Sequence, residues 1–486
     1  MGIKKVVYII IGGILASLYI LNFSLWFWPE FNSDHAIHIL MAEHFDYRKD
    51  WYYWGQNRLG SFLPFLASLL VHLGLDAFNA YGIVQLLVIA GCLWFLFRLI
   101  KEPIWFLVAA ALLLFPIYPY WMQLAPGHPY LAQFFFILAA FYLFFIESVS
   151  QKLKYALGPL MLALAIWSSE LSVAALIAMG LVNFKTLIGD LKKNWYWFLA
   201  SSAIGLKLLL EFKAHAVRDE RYAELLTDFP SFMQSLSTQW EQFQSLILFD
   251  GNKPLNGGLA LFMITLAIFG LVYAILYKKK PSFLSLTLMG TAVLSFILIH
   301  ASAWNDEMGM PHRYFTMPYF FGFLSLILLL RDLFPKPVLK YPIGVVMISL
   351  LLYASITFNH QFETGAINRI RAEEARTLLK KVFAENPQVE GLSVIGSYWN
   401  SHLPDALSTK VNGIPFKGEH LREMSLIEKA DQNDYFLLIR NNWLPEFPLY
   451  IQERDWLLKR IGEPDDEFGI YSCLYQKVEK YGEDAY

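Results

Sequence analysis

Long apolar runs, broken at intervals by short basic clusters, fill the first three quarters of the chain. A helix needs about 20 mostly apolar residues to cross the hydrocarbon core of a bilayer. Runs of that kind occur at Val6–Trp28, Phe78–Phe97, Pro103–Trp121, Tyr130–Ile146, Tyr155–Ser168, Leu171–Ile188, Trp195–Phe212, Gly258–Tyr277, Ser282–Ala301, Tyr314–Leu330 and Tyr341–Phe358. The pattern predicts a mainly α, polytopic helical membrane protein with about 11 transmembrane helices. The fifth and sixth runs are short and share one apolar stretch. Phe62–Leu73 is too short to cross and contains Pro64, so it reads as a helix lying in the outer interface. Lys4 and Lys5 precede the first run as in a signal peptide, but that run is too long and no small-residue cleavage site follows, which reads as a retained anchor.

Basic residues in short loops set orientation. With the N-terminus cytoplasmic, alternate loops collect Lys4 and Lys5, Arg98 and Lys101, Lys152 and Lys154, Lys185 with Lys192 and Lys193, Lys278 to Lys280, and Arg331 with Lys336 and Lys340. The opposite, longer loops hold only Arg48, Lys49, Arg58, Lys213, Arg218, Arg221, Lys253 and Arg313. The outer loops 29–77, 213–256 and 302–313 are then the polar, structured ones, so chemistry belongs on the outer side. An odd number of spans also places everything after Phe358 outside.

That tail, 359–486, changes character: it carries 15 Lys and Arg against 21 Asp and Glu, and its apolar runs shorten to strand length. Ile370, Ala375, Leu378, Leu379 and Val382 give Ala366–Glu385 a helical period. Strands are expected at Leu392–Ile395, Tyr435–Ile439 and Ile470–Gln476. The domain plan is a membrane part over 1–358 and a small C-terminal α/β extracytoplasmic domain over 359–486. Composition agrees: 56% of the 486 residues are hydrophobic and only 16% charged, where soluble chains run to about one quarter charged. A net charge of -2 argues against nucleic acid, which calls for a basic face. Cys92 and Cys473 suggest neither a disulfide framework nor a zinc site.

Candidate chemistry gathers in the outer loops. Asn32 or Ser33 can cap a helix starting near Asp34, with Ile37, Leu40, Met41 and Phe45 as its apolar stripe. Asp34 is either a first-turn carboxylate favoured by the helix dipole or a general base at the lip of a membrane cavity. His35 and His38 share that segment, and His38 with Asp34 could hold a divalent metal, the one cofactor the pattern suggests and not a required one. The stretch from Trp51 to Gly60 is an aromatic belt with a snorkelling arginine, or a sugar platform in which aromatic faces stack on a pyranose while Gln56, Asn57 and Arg58 bond hydroxyls or phosphate. His128, between two prolines, is a turn residue or a rigidly placed side chain. Glu170 lies in the apolar stretch Leu157–Val182, where an acid must face a cavity, a partner or an interface. Arg313 opens a late span, with His312 and Tyr314 beside it. Its planar fork suits a phosphate ester, although an interfacial anchor would also place it there.

An acid shortly after the first span, a long first outer loop with interfacial helices, and "HRYFTMPYF" at the start of a late span resemble the GT-C superfamily of integral membrane glycosyltransferases. The nearest likeness is to its protein O-mannosyltransferase and aminoarabinose-transferase-like group, which uses polyprenyl-phosphate sugars. "RLGSFLPFLASLLVHLGLDAF" resembles that group's interfacial helix leading into the second span. "GSYWNSHLPDAL" resembles C-terminal domains attached to some bacterial members.

The resemblance implies a GT-C-like catalytic domain and a sugar passed from a polyprenyl-phosphate carrier to a lipid, glycan or protein hydroxyl, with inversion. It implies that Asp34 is the base and that Arg313 contacts the carrier phosphate, with His128 or His312 as secondary contacts. Glu170, if it lies at the outer turn between two short helices, points toward the same outer cleft as Asp34. Many members have Asp-Glu where this chain has Asp34-His35. A bacterial inner membrane is the expected location. Other readings are a glycan polymerase or ligase of the same superfamily, a non-catalytic lipid-glycan transporter, and a scaffold whose outer domain binds a partner.

Overall fold

A computed structural model describes residues 3–27, 31, 33–116, 120–125, 127–216, 224–226, 228–247, 281–361, 372–419, 421–467 and 470–479. Packing divides the chain into two compact units. The first comprises Met1–Phe27, Trp51–Phe62 and Gln85–Phe362; the second comprises Trp28–Asp50, Leu63–Val84 and Glu363–Tyr486. The tail thus packs as one unit with parts of the first polar segment, a grouping that a cut after residue 358 does not express.

The helices, in chain order, are α1 (Ile3–Phe23), α2 (Ser33–Glu43), α3 (Phe62–His72), α4 (Ala77–Ile100), α5 (Pro103–Leu114), α6 (Tyr130–Phe145), α7 (Gln151–Ser168), α8 (Val173–Ala214), α9 (Phe229–Ile247), α10 (Phe283–His300), α11 (Ala303–Glu307), α12 (Thr316–Leu333), α13 (Pro337–Gln361), α14 (Ala372–Glu385), α15 (Tyr398–Leu407) and α16 (Ser425–Ala430). Among the described residues, six segments are long and apolar enough to cross a membrane: Val6–Phe23, Ala77–Ile100, Glu170–Ala214, Phe283–His300, Arg313–Leu333 and Pro337–Ile356. The chain is therefore mainly helical, with helices suited to a bilayer, and this count is smaller than the eleven expected. The runs at 103–121 and 130–146 yield the shorter helices α5 and α6, and the run at 258–277 lies outside the described residues.

Local chemistry sets the helix starts of the first unit. Ser150 caps α7 by accepting from the Leu153 N–H at 3.3 Å, Ser282 caps α10 through Ser285 at 3.2 Å, and Pro103 opens α5, where its missing N–H costs nothing. α8 runs for 42 residues with a break at Asn194, whose φ of -125° is not helical. A straight helix of that length would span about 60 Å, yet Glu170, just before its start, and Lys213, at its end, are 2.6 Å apart. The chain therefore doubles back, and α8 is a helical hairpin whose arms correspond to the runs at 171–188 and 195–212. Both arms pack on α7: Leu162 clusters with Met179 of the first, and Ala163 lies where a Cβ on Gly205 of the second would be 2.7 Å away.

The second unit is built on a seven-stranded mixed sheet of β1 (Leu392–Gly396), β2 (Val411–Pro415), β3 (Tyr435–Ile439), β4 (Tyr450–Glu453), β5 (Trp456–Arg460), β6 (Asp465–Glu467) and β7 (Ile470–Val478). The order is β2-β1-β3-β7-β5-β4, with β6 also pairing β7. β1 is parallel to both β2 and β3, and every other pairing is antiparallel. All five residues of β1 are buried, as a parallel strand covered on both faces requires. α14 turns Ala375, Leu378, Leu379 and Val382 inward, the stripe its sequence predicts. The expected strands at 392–395, 435–439 and 470–476 are β1, β3 and β7.

Candidate functional site

In the second unit, the connection from β1 to α15 leaves the carboxyl end of a parallel strand, where α/β sheets commonly present ligand-facing residues. Ser397 occupies the N-cap of α15 but makes no side-chain cap bond. The Glu419 carboxylate accepts from the Tyr398 backbone N–H instead, a negative group where the helix dipole favours one. Tyr398 points its hydroxyl at Asp34, donating to Oδ1 at 2.7 Å. Asp34 stands in the first turn of α2, half-buried. Most of that short helix is buried, from His35 to Ala42. α2 therefore presents a half-buried carboxylate at its tip above a body in which His35 and His38 are buried.

The two histidines of α2 point to different neighbours. His35 is fully buried, with its ring 5.9 Å from that of Phe31. His38 is buried too, and its Nδ1 shares a 3.1 Å hydrogen bond with the Tyr81 hydroxyl. Among the described residues no group of three or more His, Cys, Asp or Glu side chains could hold a metal.

Further along α15 sit two buried ionisable groups of opposite tendency. Burial, reinforced by the charge of Arg422, pushes the His402 imidazole down to about 3. Burial pushes the Asp405 carboxyl up to about 8, against the opposing bond that its Oδ2 accepts from the Gly413 N–H at 2.9 Å. Both are neutral at pH 7, which is how a protein tolerates ionisable groups in its interior. Nearby, burial and then Lys429 hold the His44 imidazole down at about 4.

The first unit gathers the remaining candidates. The loop from Trp51 to Gly60 packs on the ends of α7 and α8. The Trp51 ring stacks on Phe212 at 4.4 Å, the Trp51 carbonyl accepts from Trp167 Nε1 at 2.8 Å, and Gly60 sits so close to Trp167 that a Cβ would lie 2.7 Å from its carbonyl oxygen. Lys213 clasps this corner, donating to Glu170 Oε1 at 2.6 Å and to the Asn57 carbonyl at 2.5 Å, with its ammonium 5.3 Å from the Tyr52 ring centre. Glu170 is thus an ion-paired, mostly exposed carboxylate, its side chain 64% exposed.

Two arginines, remote from one another in sequence, lie near Tyr130. Arg58 donates from Nε to Gln56 Oε1 at 3.3 Å. Arg313 lies over the Tyr314 ring at 5.1 Å and donates to that residue's hydroxyl at 3.4 Å. Both guanidiniums, with Tyr314, act electrostatically on the hydroxyl of Tyr130, at the start of α6. Arg313 Nε is buried and has no hydrogen-bond partner among the described residues. His128 lies on the same approach, its ring 6.4 Å from that of Tyr130. His312 opens the short 3-10 turn His312–Phe315 that leads into α12.

Sequence reasoning named Asp34, Glu170 and both arginines but missed three residues beside them. Tyr398 follows Gly396-Ser397 after an expected strand, and that strand-to-helix position was its only signal. Tyr130 stood in plain view beside His128. Lys213 was read only as loop charge. A scan of protein-family models gives no match to this chain, and a search of curated proteins gives none either.

Proposed function

We propose that this protein is an integral membrane glycosyltransferase, a hexosyl- or pentosyltransferase that moves a sugar from a polyprenyl-phosphate carrier to an acceptor hydroxyl, with inversion. The observation that carries this reading is Arg313 of the first unit: its Nε is buried without a partner among the described residues, and its guanidinium lies 5.1 Å from the Tyr314 ring centre, with Arg58 and Tyr130 nearby. A guanidinium set among apolar helices calls for an anion. A phosphate ester matches its planar fork, and a carrier lipid brings that phosphate from within the bilayer. Tyr130, Tyr314 and His128 supply further contacts, and the aromatic loop of Trp51 to Trp54 offers faces for the sugar.

In this reading Asp34 takes the proton of the acceptor hydroxyl as its oxygen attacks the anomeric carbon. The bond from that carbon to the phosphate oxygen breaks with its electron pair, and Arg313 stabilises the charge developing there. The carrier supplies an activated sugar, so the scheme calls on no cofactor. The finer topology belongs to the same proposal and rests on the distribution of basic loops: eleven spans, a cytoplasmic N-terminus, and a C-terminal domain on the outer side of a bacterial inner membrane.

The test uses the full chain in lipid nanodiscs with radiolabelled polyprenyl-phosphate pentoses and hexoses. Arg313→Ala is expected to lose donor binding by tenfold or more, about 1.4 kcal/mol per decade. Asp34→Asn should keep the donor and lose about 10²–10⁴ in turnover. Release of polyprenyl phosphate at the wild-type rate by both variants would sink the proposal.

A further inference from the structure

We propose that Tyr398 is a positioning residue for Asp34: its phenol fixes carboxylate oxygen Oδ1, so that the acceptor's proton passes to Oδ2. The inference rests on the reading of Asp34 as base and adds a residue that reading does not contain. It stands on geometry within one packed unit.

The hydroxyl of Tyr398 donates to Asp34 Oδ1 at 2.7 Å, across 364 positions of sequence. A carboxylate on a helix tip otherwise rotates about two side-chain torsions, and one strong bond to a charged acceptor removes that freedom. The donor itself is immobilised on several sides. Its backbone N–H is held by the Glu419 carboxylate, the Arg422 guanidinium stands 5.4 Å from the ring centre, and the rings of Trp399 and His402 meet it edge-on at 5.1 and 5.5 Å. A tyrosine needed only to fill space between α2 and α15 would not require its ring, backbone and hydroxyl each to be committed in this way. The charged and titratable groups shown against Tyr398 are His402 on α15, and Glu419 and Arg422 on the segment after β2.

Tyr398→Phe removes the hydroxyl and keeps the ring, so the packing on Arg422, Trp399 and His402 persists. With full-length protein in nanodiscs, kcat is expected to fall about tenfold while KM for the acceptor holds within about twofold, as for an interaction realised in the transition state. In an Asp34→Asn background the same change should cost nothing further, because residues acting as a unit are not additive. A second readout needs no turnover: modification of Asp34 by a water-soluble carbodiimide at one fixed pH, followed by peptide mass spectrometry with Asp228 as internal reference. The Asp34 rate should rise severalfold in Tyr398→Phe while the Asp228 rate stays constant. Unchanged kcat together with unchanged labelling, beside an inactive Asp34→Asn, overturns the positioning role and leaves the base standing. Full turnover by Asp34→Asn overturns the base and the positioning role with it. A kcat loss that persists undiminished in the Asp34→Asn background also overturns the proposal.

Discussion

In the membrane-type unit, hydroxyl side chains bond mainly to their own helix: Ser24 to the Ile20 carbonyl, Ser168 to Leu164, Thr287 to Phe283 and Thr291 to Thr287, each four residues back. In the sheet-containing unit, polar side chains reach far along the chain instead. Lys49 pairs with Glu423 at 3.0 Å, Lys381 with Asp465 at 2.6 Å, Lys477 with Asp431 at 2.7 Å, and Trp456 Nε1 donates to that same Asp431 at 2.6 Å. The contrast follows from the solvent each composition suits. Among lipid tails a polar group must be satisfied by its own helix or by a helix packed against it, as Ser285 and Ser325 do across two helices, whereas a water-facing fold can also use exposed charges to join distant segments. Arg313 differs from the other buried polar atoms of this unit that lack a partner among the described residues, such as Gln133 Oε1 and Trp105 Nε1, in carrying a full charge, which costs far more to bury than a neutral amide or indole.

The largest test of this contrast is steric. A Cβ at Gly413 would sit 2.0 Å from the Ser401 carbonyl oxygen, a backbone atom that has no room to retreat. Gly413→Ala is expected to destabilise the sheet unit by about 3 kcal/mol or more, read as new protease cuts after residue 372 while the helices of the first unit stay resistant. Cuts spread evenly through both units would mean that the two do not melt separately.

The next is electrostatic and depends on pH. The Asp405 carboxyl titrates near 8 when folded against about 4 when unfolded, so stability is fully present below pH 4 and is lost as pH rises toward 8. His402 and His44 work in the opposite direction: their folded values of about 3 and 4 mean that stability is present above about 6.5 and is lost as pH falls through them. Asp405→Asn mimics the neutral acid. Its melting temperature should match wild type at pH 5 and exceed it by roughly 5 °C at pH 8. An identical pH dependence in both proteins would show that Asp405 ionises without cost.

The smallest effect is expected at the Lys213 clasp. Its ammonium and the Glu170 carboxylate are both substantially exposed, 41% and 64%, so Lys213→Met should cost less than about 1 kcal/mol in stability. A loss several times larger, measured by thermal unfolding in detergent, would mean that this pair is screened from water and contributes as a buried ion pair does.

The same solvent argument explains what could be read in advance. Helices that face lipid announce themselves by length and composition, and the basic pair Lys192 and Lys193 correctly divided the two arms of α8 around Asn194. β1, β3 and β7 were legible as apolar runs. β2 was not, because Val-Asn-Gly-Ile-Pro breaks the strand pattern twice: Gly413 is there to let the Ser401 carbonyl approach, and Pro415 ends an edge strand. β4, β5 and β6 are short, and their register is imposed by β7. For the site, residue type and loop position pointed to Asp34, Arg58 and Arg313. The hydrogen bond from Tyr398 was invisible because nothing local in either segment encodes a partner so remote. Glu170 was legible as a costly acid but not as half of a pair, since Lys213 lies beyond the reversal at Asn194.

That reversal has a consequence for biosynthesis. Because the two arms of α8 start and finish at the same corner, the pairing of Glu170 with Lys213 can form only after both arms have been synthesised. Deleting either arm would take Lys213 away from Glu170 and open the corner on which the Trp51 to Gly60 loop packs, although no residue of that loop had been changed.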